Sequence, residues 1–435
     1  MRVLGFDGWT MGIHHYARLV AAFREKNIEL SLLHLGSWGD EKGRKQEELI
    51  NGITVRDISF YKNHDFDEIL DIERPDLVLF LSTETFAHRA FHRYCRQKGI
   101  PTIYLYHGMC SVFLIDGKKE ILRSTLVGQV RFVFRQAYKS IRHTFPTYAR
   151  SLRKTSASFS EWMRFGHDIV SRIRGKTIFV PASDSIPAKC CVFISADIQD
   201  AVSRFKMERN HVAVVGNPDL IAFGVGKADI GSFVNSDFSR QDNVMYIDAG
   251  LASLGLNFNS VDEYAKYLVN IGSQLKVQHK NLLIKIKPHP AEYKEHVSSM
   301  LLRNGISIVE NNEFVARLRT CCACITETST LGLIPGLLGM PLFLQRTGPL
   351  NSLLYGNVFT SYPRAQYLDD VDRFNELLSA KQASCDADRV MDWIDENSGP
   401  MPAEDMPERV AAVVLDLIHT RDASIGVADG GHRSG

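Results

Sequence analysis

The chain has 435 residues, of which 45% are hydrophobic and 23% are charged, and its net charge at pH 7 is +1. These values are typical of a soluble globular protein with two or three domains, and they exclude a low-complexity protein. No apolar run approaches the roughly 20 residues of a membrane span, and Asp7 interrupts any apolar core of a signal peptide. We therefore expect a cytoplasmic protein.

The first quarter of the chain alternates between apolar strand patterns and helical patterns. Strands are predicted at 3–6, 30–35, 53–58, 77–81 and 103–106, and helices at 13–23 and 85–97. Short connections between alternating strands and helices predict a parallel sheet with right-handed crossovers. This part of the chain is expected to form a Rossmann-like α/β domain.

A basic segment with a helical pattern, residues 117–176, interrupts this alternation. Between residues 131 and 176 it has eleven Lys and Arg residues but only two acids. The basic residues are Arg131, Arg135, Lys139, Arg142, Arg150, Arg153, Lys154, Arg164, Arg172, Arg174 and Lys176. Such a segment is most often a solvated helical face. The aromatic residues among the basic ones suggest, as the alternative, a surface that contacts anionic lipid. No recognised nucleic-acid-binding module accompanies the segment, so we expect no nucleic-acid partner.

The α/β pattern resumes after the basic segment. Strands predicted at 178–180, 192–195 and 212–215 complete the first domain, and residues 219–241 are expected to connect the domains. A second unit has strands predicted at 244–247, 284–289, 306–309, 322–326 and 342–344. We assign an N-terminal domain to 1–225, a C-terminal domain to 240–400, a helix to 401–420 and a disordered tail to 421–435.

The eight cysteines include two adjacent pairs on apolar strands, Cys190 with Cys191 and Cys321 with Cys322. Adjacent cysteines rarely bridge each other, and a buried free cysteine behaves as a small hydrophobic residue. Cys321 and Cys324 have CxxC spacing, but no second pair follows at the distance of a zinc site. We therefore expect free cysteines and no metal.

Polar side chains follow two apolar strands of the second unit. One strand ends in a Lys-Pro-His-Pro sequence, and the other runs into a Thr-Ser-Thr cluster at the start of a helix. Open α/β sheets bind ligands at the carboxyl ends of their strands, and imidazolium and helix starts both stabilise phosphate. The pattern therefore predicts a site for a nucleotide leaving group. Its expected residues are Lys287, His289, Pro290, Thr328, Ser329 and Thr330.

These two sequences resemble the HP and Ser/Thr motifs of bacterial GT-B transferases, among them sialyltransferases, capsule Kdo transferases and CDP-glycerol glycerophosphotransferases. The segment Tyr106-His107-Gly108 in the N-terminal half is also similar to a segment of such proteins. The resemblance implies a GT-B fold, with two Rossmann-like domains facing a cleft, and a nucleotide-activated sugar, most often CMP-linked. UDP-sugar 2-epimerases also have an HP signal of this kind.

The resemblance implies further roles in the second domain. In the sialyltransferases an acidic-acidic-Gly sequence precedes the HP motif, and this chain has Asp248-Ala249-Gly250 there, with one acid instead of two. Asp248 is accordingly the first candidate for the general base, and Gly250 is expected beside the donor. Glu327 is expected to accept a hydrogen bond from a ribose hydroxyl group.

The N-terminal domain supplies rival bases and the acceptor side. Asp7, Glu84 and His107 each lie at or just beyond a predicted strand end. Gly8 and Gly12 are expected to let the backbone approach the acceptor. In the GT-B plan these positions face the nucleotide site across the cleft.

Together these features predict a metal-independent GT-B glycosyltransferase without a cofactor. It would transfer a sugar to a glycan or lipid-linked glycan acceptor in capsule or lipopolysaccharide synthesis, peripherally at the inner face of the cytoplasmic membrane. Alternatives are a CDP-glycerol-type polyol-phosphate transferase, a UDP-sugar 2-epimerase, and a non-catalytic assembly protein with a relic GT-B fold.

Overall fold

The computed structural model describes residues 1–7, 12–39, 45–112, 114–115, 118–119, 140–173, 183–238, 241–288, 290–384 and 386–430. These residues form two α/β domains, each built on its own sheet.

The N-terminal domain has an eight-stranded, mostly parallel sheet. Its strands, with a separate β7–β8 pair, are β1 (Arg2–Asp7), β2 (Glu29–His34), β3 (Glu47–Ile50), β4 (Ile53–Asp57), β5 (Leu77–Phe80), β6 (Thr102–Leu105), β7 (Leu114–Ile115), β8 (Lys118–Lys119), β9 (Lys189–Val192) and β10 (Val212–Val214). The order is β10-β9-β6-β5-β1-β2-β4-β3, and within it only β3 and β4 pair antiparallel. Strands β5 and β6 are buried along their whole length, as expected for central strands covered on both faces.

Helices pack against this sheet. They are α1 (Ile13–Ala17), α2 (Val20–Glu25), α3 (Phe66–Glu73), α4 (Phe86–Gln97), α5 (Phe145–Lys154), α6 (Phe159–Ile173), α7 (Ile198–Phe205) and α8 (Pro218–Ala222). Helix α4 begins at Thr85, whose hydroxyl accepts from the His88 N–H, and Gly99 follows its end with a φ of +66°. Its apolar face packs on the central strands.

The helix pair α5–α6 comes from the basic segment and docks on α4 through a buried cation. Arg89 of α4 is 6% exposed. Its guanidinium donates to Asp168 (2.7 Å), to Asp184 (3.0 Å) and to the Tyr148 hydroxyl (2.7 Å). These partners come from α6, from the approach to β9 and from α5, so one side chain joins three parts of the domain.

The C-terminal domain has a six-stranded parallel sheet. Its strands are β11 (Asn243–Ile247), β12 (Asn281–Lys285), β13 (Ser307–Ile308), β14 (Cys321–Thr326), β15 (Leu342–Gln345) and β16 (Ala365–Leu368), in the order β13-β12-β11-β14-β15-β16. The helices are α9 (Val261–Val277), α10 (Ala291–Arg303), α11 (Phe314–Leu318), α12 (Leu333–Leu338), α13 (Asn357–Thr360), α14 (Phe374–Ser384), α15 (Ala387–Asn397) and α16 (Met406–Gly430).

Several contacts among the described residues join the two domains. The chain after α8 packs on the C-terminal domain, where Gly231 and Phe233 donate backbone hydrogen bonds to the end of α12. Helix α16 returns to the first domain and packs against α2. The Gly356 N–H donates to the Val112 carbonyl at 2.8 Å, which joins the domains directly.

The structure adds detail to two predicted parts of the chain. Residues 219–241, predicted to connect the domains, include most of α8 and bury Phe233, Val234 and Phe238. Helix α16 extends to Gly430, into the tail predicted to be disordered from residue 421; no proline interrupts residues 408–430. The strand predicted at 178–180 lies outside the described residues, as do residues 117, 120–139 and 174–176 of the basic segment.

Candidate functional site

The carboxyl ends of β11, β12 and β14 lie side by side in the C-terminal sheet. Ile247 pairs with Lys285 of β12 on one side and with Thr326 of β14 on the other. Asp248 and Glu327, the residues that follow β11 and β14, are therefore neighbours although they are far apart in sequence. The sheet register alone brings these two acids to the predicted nucleotide edge.

Asp248 is a buried carboxylate, 4% exposed, among several donors. Its Oδ1 atom accepts from the Gly250 N–H (2.6 Å) and lies 3.0 Å from the Tyr264 hydroxyl. The Tyr293 hydroxyl is 3.0 Å from both carboxylate oxygens, and the Lys287 N–H donates to Oδ2 at 3.1 Å. Burial raises the pKa of Asp248 while these hydrogen bonds oppose the rise. Asp248 thus ties the turn after β11 to α9, α10 and the end of β12.

Glu327 is completely buried beside it. Its Oε1 atom lies 2.8 Å from the Tyr246 hydroxyl and 2.7 Å from the Tyr264 hydroxyl, and Oε2 accepts from the Ala249 N–H at 2.9 Å. Burial and the nearby charge of Asp248 raise the pKa of Glu327 to about 8. The ribose contact expected of Glu327 has no support in this geometry, because the carboxyl group faces the protein interior.

Tyr264 links the two acids through a single hydroxyl group. One hydroxyl hydrogen can serve only one of the two short contacts, so the other contact needs a hydrogen from a protonated carboxyl group. Glu327 provides it, because a pKa of about 8 keeps this group mostly protonated at pH 7. Burial raises the pKa of both carboxyl groups, and this assignment leaves the negative charge of the pair on Asp248.

The turn after β11 requires glycine at position 250. Gly250 has a φ of +72°, and a Cβ atom there would overlap the Lys287 side chain. Only glycine combines this conformation with such a close approach. The aliphatic part of Lys287 consequently packs over the turn, at the edge where the nucleotide was predicted.

The hydroxyl cluster after β14 divides into a structural and an accessible part. Thr328 is 2% exposed, and its hydroxyl donates to the Leu354 carbonyl at 3.1 Å. Ser329 and Thr330 are half-buried, and the Thr330 hydroxyl donates to the Asp219 carboxylate of α8. Ser329 and Thr330 are therefore the better placed of the three to contact a ligand.

Asp219 places a carboxylate from the first domain against the C-terminal domain. Burial raises its pKa, while the positive charge of Arg18 and the hydrogen bond from Thr330 oppose the rise. On the same side, burial and the charges of His14 and Arg18 lower the pKa of His15 to about 2. His15 is therefore neutral beside Arg18.

Three histidines of the N-terminal domain lie at this cleft. The ring centroids of His14 and His15 are 3.8 Å apart, and those of His15 and His107 are 5.9 Å apart. His107 is exposed, and the next residue is close to the C-terminal domain: a Cβ atom at Gly108 would lie 3.9 Å from the Thr330 methyl group. Among the predicted bases, His107 is the one whose neighbour in sequence, Gly108, lies beside the hydroxyl cluster.

Asp7 ends β1 in a buried position, with 4% exposure. Its Oδ1 atom is 3.9 Å from His88 Nε2, and His88 Nδ1 is 2.6 Å from the Thr85 hydroxyl oxygen. A Cβ atom at Gly12 would overlap the Asp7 carboxylate. Gly12 therefore makes room for Asp7, a role different from the expected approach to an acceptor.

The other predicted residues are dispersed. Glu84 is exposed, and its Oε1 atom is 3.5 Å from Arg204 of α7. Pro290 is exposed at the start of α10. His289 and Gly8 lie outside the described residues. Across the described chain, no three His, Cys, Asp or Glu side chains are grouped as a metal site would need, and no helix is long and apolar enough to cross a membrane.

Sequence reasoning missed the residues that organise the site. Tyr264 and Tyr293 have the helical spacing of core residues, and nothing in the sequence distinguishes them from such residues. Asp219 lies in a segment that was treated as a connection. The adjacent His14 and His15, just after the first strand, were a signal in the sequence that could have pointed to this part of the site.

No protein-family model matches the chain, and no curated protein matches it. Among solved structures, the calicheamicin glycosyltransferase CalG4 is similar with a TM-score of 0.50 and 14% identity, over 95% of this chain and 97% of that chain. The UDP-GlcNAc 2-epimerase of Methanocaldococcus jannaschii has a TM-score of 0.48 and 13% identity, over 95% and 99% of the two chains. The wall teichoic acid polymerase TagF has a TM-score of 0.47 and 12% identity, over 96% of this chain and 88% of that chain.

The likeness to CalG4, together with the two parallel sheets, shows that the chain has the two-domain GT-B fold. The predicted fold class is confirmed. At identities this low, the likeness concerns the fold alone.

Proposed function

We propose that the protein is a GT-B glycosyltransferase, which moves a sugar from a nucleotide donor on the C-terminal domain to a glycan acceptor on the N-terminal domain. The observation that carries this proposal is the meeting of polar groups from both domains at one cleft. Thr330 bonds Asp219 and lies beside Gly108, which directly follows His107. Transfer between two substrates needs reactive groups from both binding sides within a few ångströms.

On the donor side, Ser329, Thr330 and Lys287 bind the nucleotide phosphate together with His289. These groups neutralise the leaving group and replace a bound metal ion. The buried Asp248–Glu327 pair supports them by fixing the strand ends, which keeps the edge preorganised. The HP and Ser/Thr motifs favour a CMP-linked sugar.

On the acceptor side, the positive charge of Arg18, with His14 beside it, favours an acidic glycan. Both are close enough for their charges to lower the pKa of His15. Mutual repulsion of this kind is relieved when an anion binds among the cations. An acceptor with carboxylate or phosphate groups, as in capsule or lipopolysaccharide, meets this requirement.

His107 is the general base in this proposal. Asp248 already binds several donors and is buried, and Asp7 is buried beneath Gly12. His107 is exposed at the cleft, where an acceptor hydroxyl can reach it, and an imidazole suits proton transfer near neutral pH.

Polyol-phosphate transfer from a CDP-linked donor is the second candidate. The pair His107-Gly108 resembles the HG element of glycerophosphotransferases, and its position at the cleft favours this reading over a UDP-sugar 2-epimerase.

Nucleotide-dependent thermal unfolding tests the proposal. CMP at a hundredfold excess over its Kd should stabilise the folded protein by about 2.7 kcal/mol and raise Tm, and UDP or GDP should have little effect. Thr330→Val should weaken this response, whereas Ser273→Ala, on the exposed face of α9, should keep it. His289→Ala should lower turnover by about a hundredfold. Stabilisation by UDP alone would favour an epimerase, and no response to any nucleotide would contradict a transferase.

A further inference from the structure

Helix α6 exposes a stripe of large apolar side chains. Phe159 is 79% exposed, Met163 61%, Val170 46% and Trp162 39%. Positions 159, 163 and 170 share one face of the helix, and Trp162 lies next to them. A contiguous apolar surface of this kind marks a contact site.

The acids of the same helix point towards the protein. Glu161 pairs with Arg93 at 2.5 Å, and Asp168 pairs with Arg89 at 2.7 Å. The Ser158 N–H also donates to Glu161 at 2.8 Å, which caps the start of the helix. A surface helix normally exposes its charges and buries its apolar residues. Helix α6 buries Phe165, but it turns both of its acids inward and exposes a second set of apolar side chains.

These ion pairs leave the basic segment with excess positive charge. Between residues 131 and 176 the only acids are Glu161 and Asp168, and both neutralise arginines of α4, which lies outside the segment. In the described part of the segment, Arg142 and Arg153 are exposed. Arg142 and Arg153 therefore add exposed positive charge to the described part of the segment, which also has the apolar stripe.

We propose that α6 lies in the interface of an anionic lipid bilayer. Phe159, Trp162, Met163 and Val170 insert between the headgroups, and the exposed Arg142 and Arg153 contact lipid phosphates. The 15 residues of α6 span roughly 22 Å, which suits a helix parallel to the membrane plane. A second copy of this chain fits less well, because two surfaces with excess positive charge would then face each other. This inference is independent of the catalytic assignment.

Vesicle sedimentation with the full chain tests the inference. At low salt, wild-type protein should bind vesicles of phosphatidylcholine that contain about 30% of the anionic lipid phosphatidylglycerol. It should not bind vesicles of pure phosphatidylcholine. The triple variant Phe159→Ser, Met163→Ser, Val170→Ser should bind at least about tenfold more weakly, because the apolar contact is lost. The matched control is Val277→Ser with Leu49→Ser, which changes apolar residues that are 81% and 74% exposed elsewhere.

The contribution of charge is tested separately. Arg142→Glu with Arg153→Glu should reduce binding by about tenfold or more at low salt, and raising the salt should weaken wild-type binding. The Tm of the variant is compared with that of the wild type, so that weaker binding is distinguished from unfolding.

Trp162 reports whether the stripe itself enters the lipid. Its emission should shift to shorter wavelength on vesicle binding, and brominated lipid should quench it; Trp162→Phe should lose that response while still sedimenting. Three results would overturn the inference: no wild-type sedimentation at low salt, equal sedimentation of the triple variant, or a concentration-dependent dimer that the triple variant abolishes. The last result would assign the stripe to a second copy of the chain.

Discussion

Asp248 and Glu327 both contact the Tyr264 hydroxyl, and a proton on Glu327 keeps a second negative charge out of these strand ends. Asp248 keeps the negative charge because backbone and hydroxyl groups donate to it, whereas Glu327 is fully buried. Removing the proton would place two carboxylates next to each other in the protein interior, where like charges repel strongly. The edge is therefore most stable when Glu327 is protonated.

Glu327→Gln should remove a pH dependence of stability. The pKa of Glu327 rises from its usual value of 4.5 to about 8 in the folded protein. The folded state then binds more protons than the unfolded state between these values, so the free energy of unfolding falls as the pH rises from about 4.5 to 8. Gln does not titrate but can still donate to Tyr264. Between pH 4.5 and 8 the free energy of unfolding should therefore fall less in the variant than in the wild type, by a difference on the order of a few kcal/mol.

Urea unfolding at pH 5, 6.5 and 8 measures this difference. Glu376→Gln is the matched control, because Glu376 is an exposed acid on α14 that pairs only with a neighbouring arginine. The control should keep the wild-type slope. An unchanged slope in Glu327→Gln would mean that Glu327 is ionised at neutral pH.

A second residue-scale prediction separates the general base from a positioning residue. His107→Gln should lower kcat by about a hundredfold or more and remove the acidic limb of the pH–rate profile, with nucleotide affinity unchanged. Asp248→Asn should instead keep the limb and lower Tm and nucleotide affinity, because an amide NH₂ would face the donors of Asp248. If Asp248→Asn removes the limb and His107→Gln keeps it, the base is Asp248.

At the scale of elements, the central strands could be predicted because they are buried on both faces and therefore continuously apolar. Edge strands could not: in β3 the residues alternate between exposed and half-buried, and two glutamates begin it. The helices of the basic segment were predicted, but not which way α6 faces. Its acids meet arginines of α4 that are about 70 to 80 residues earlier in the chain, and only the tertiary fold creates such contacts.

Arg89→Ala tests how α5 and α6 are attached. The change leaves Asp168 and Asp184 buried without their main partner, and breaking a buried ion pair in this way typically costs about 3 to 5 kcal/mol. We expect a lower Tm and faster proteolytic cleavage between residues 155 and 173. Arg373→Ala, which removes an exposed ion pair with Glu376, should change neither. Wild-type protease resistance in Arg89→Ala would show that apolar packing alone holds the helix pair.

At the scale of the whole molecule, the cleft depends on how closely two backbones approach. Gly356 follows β15 in the C-terminal domain, and its N–H donates to the Val112 carbonyl at 2.8 Å. A Cβ atom at Gly356 would overlap the Ser111 carbonyl oxygen. Val112 is in the same loop as His107, so this contact sets the distance between the proposed base and the hydroxyl cluster at Thr330.

Gly356→Ala should therefore widen the cleft without unfolding either domain. The backbone at Gly356 has a φ of −64°, which alanine adopts readily, so the added methyl group acts only through its overlap with the loop. A displacement of about 1 Å can lower a transfer rate by up to a hundredfold, so kcat should fall at least tenfold. The nucleotide-induced rise in Tm should remain, because the donor residues all belong to the C-terminal domain. Gly226→Ala, where a Cβ atom would lie 3.7 Å from its nearest neighbour, should keep wild-type kcat. Full activity in Gly356→Ala would show that catalysis does not depend on this contact between the domains.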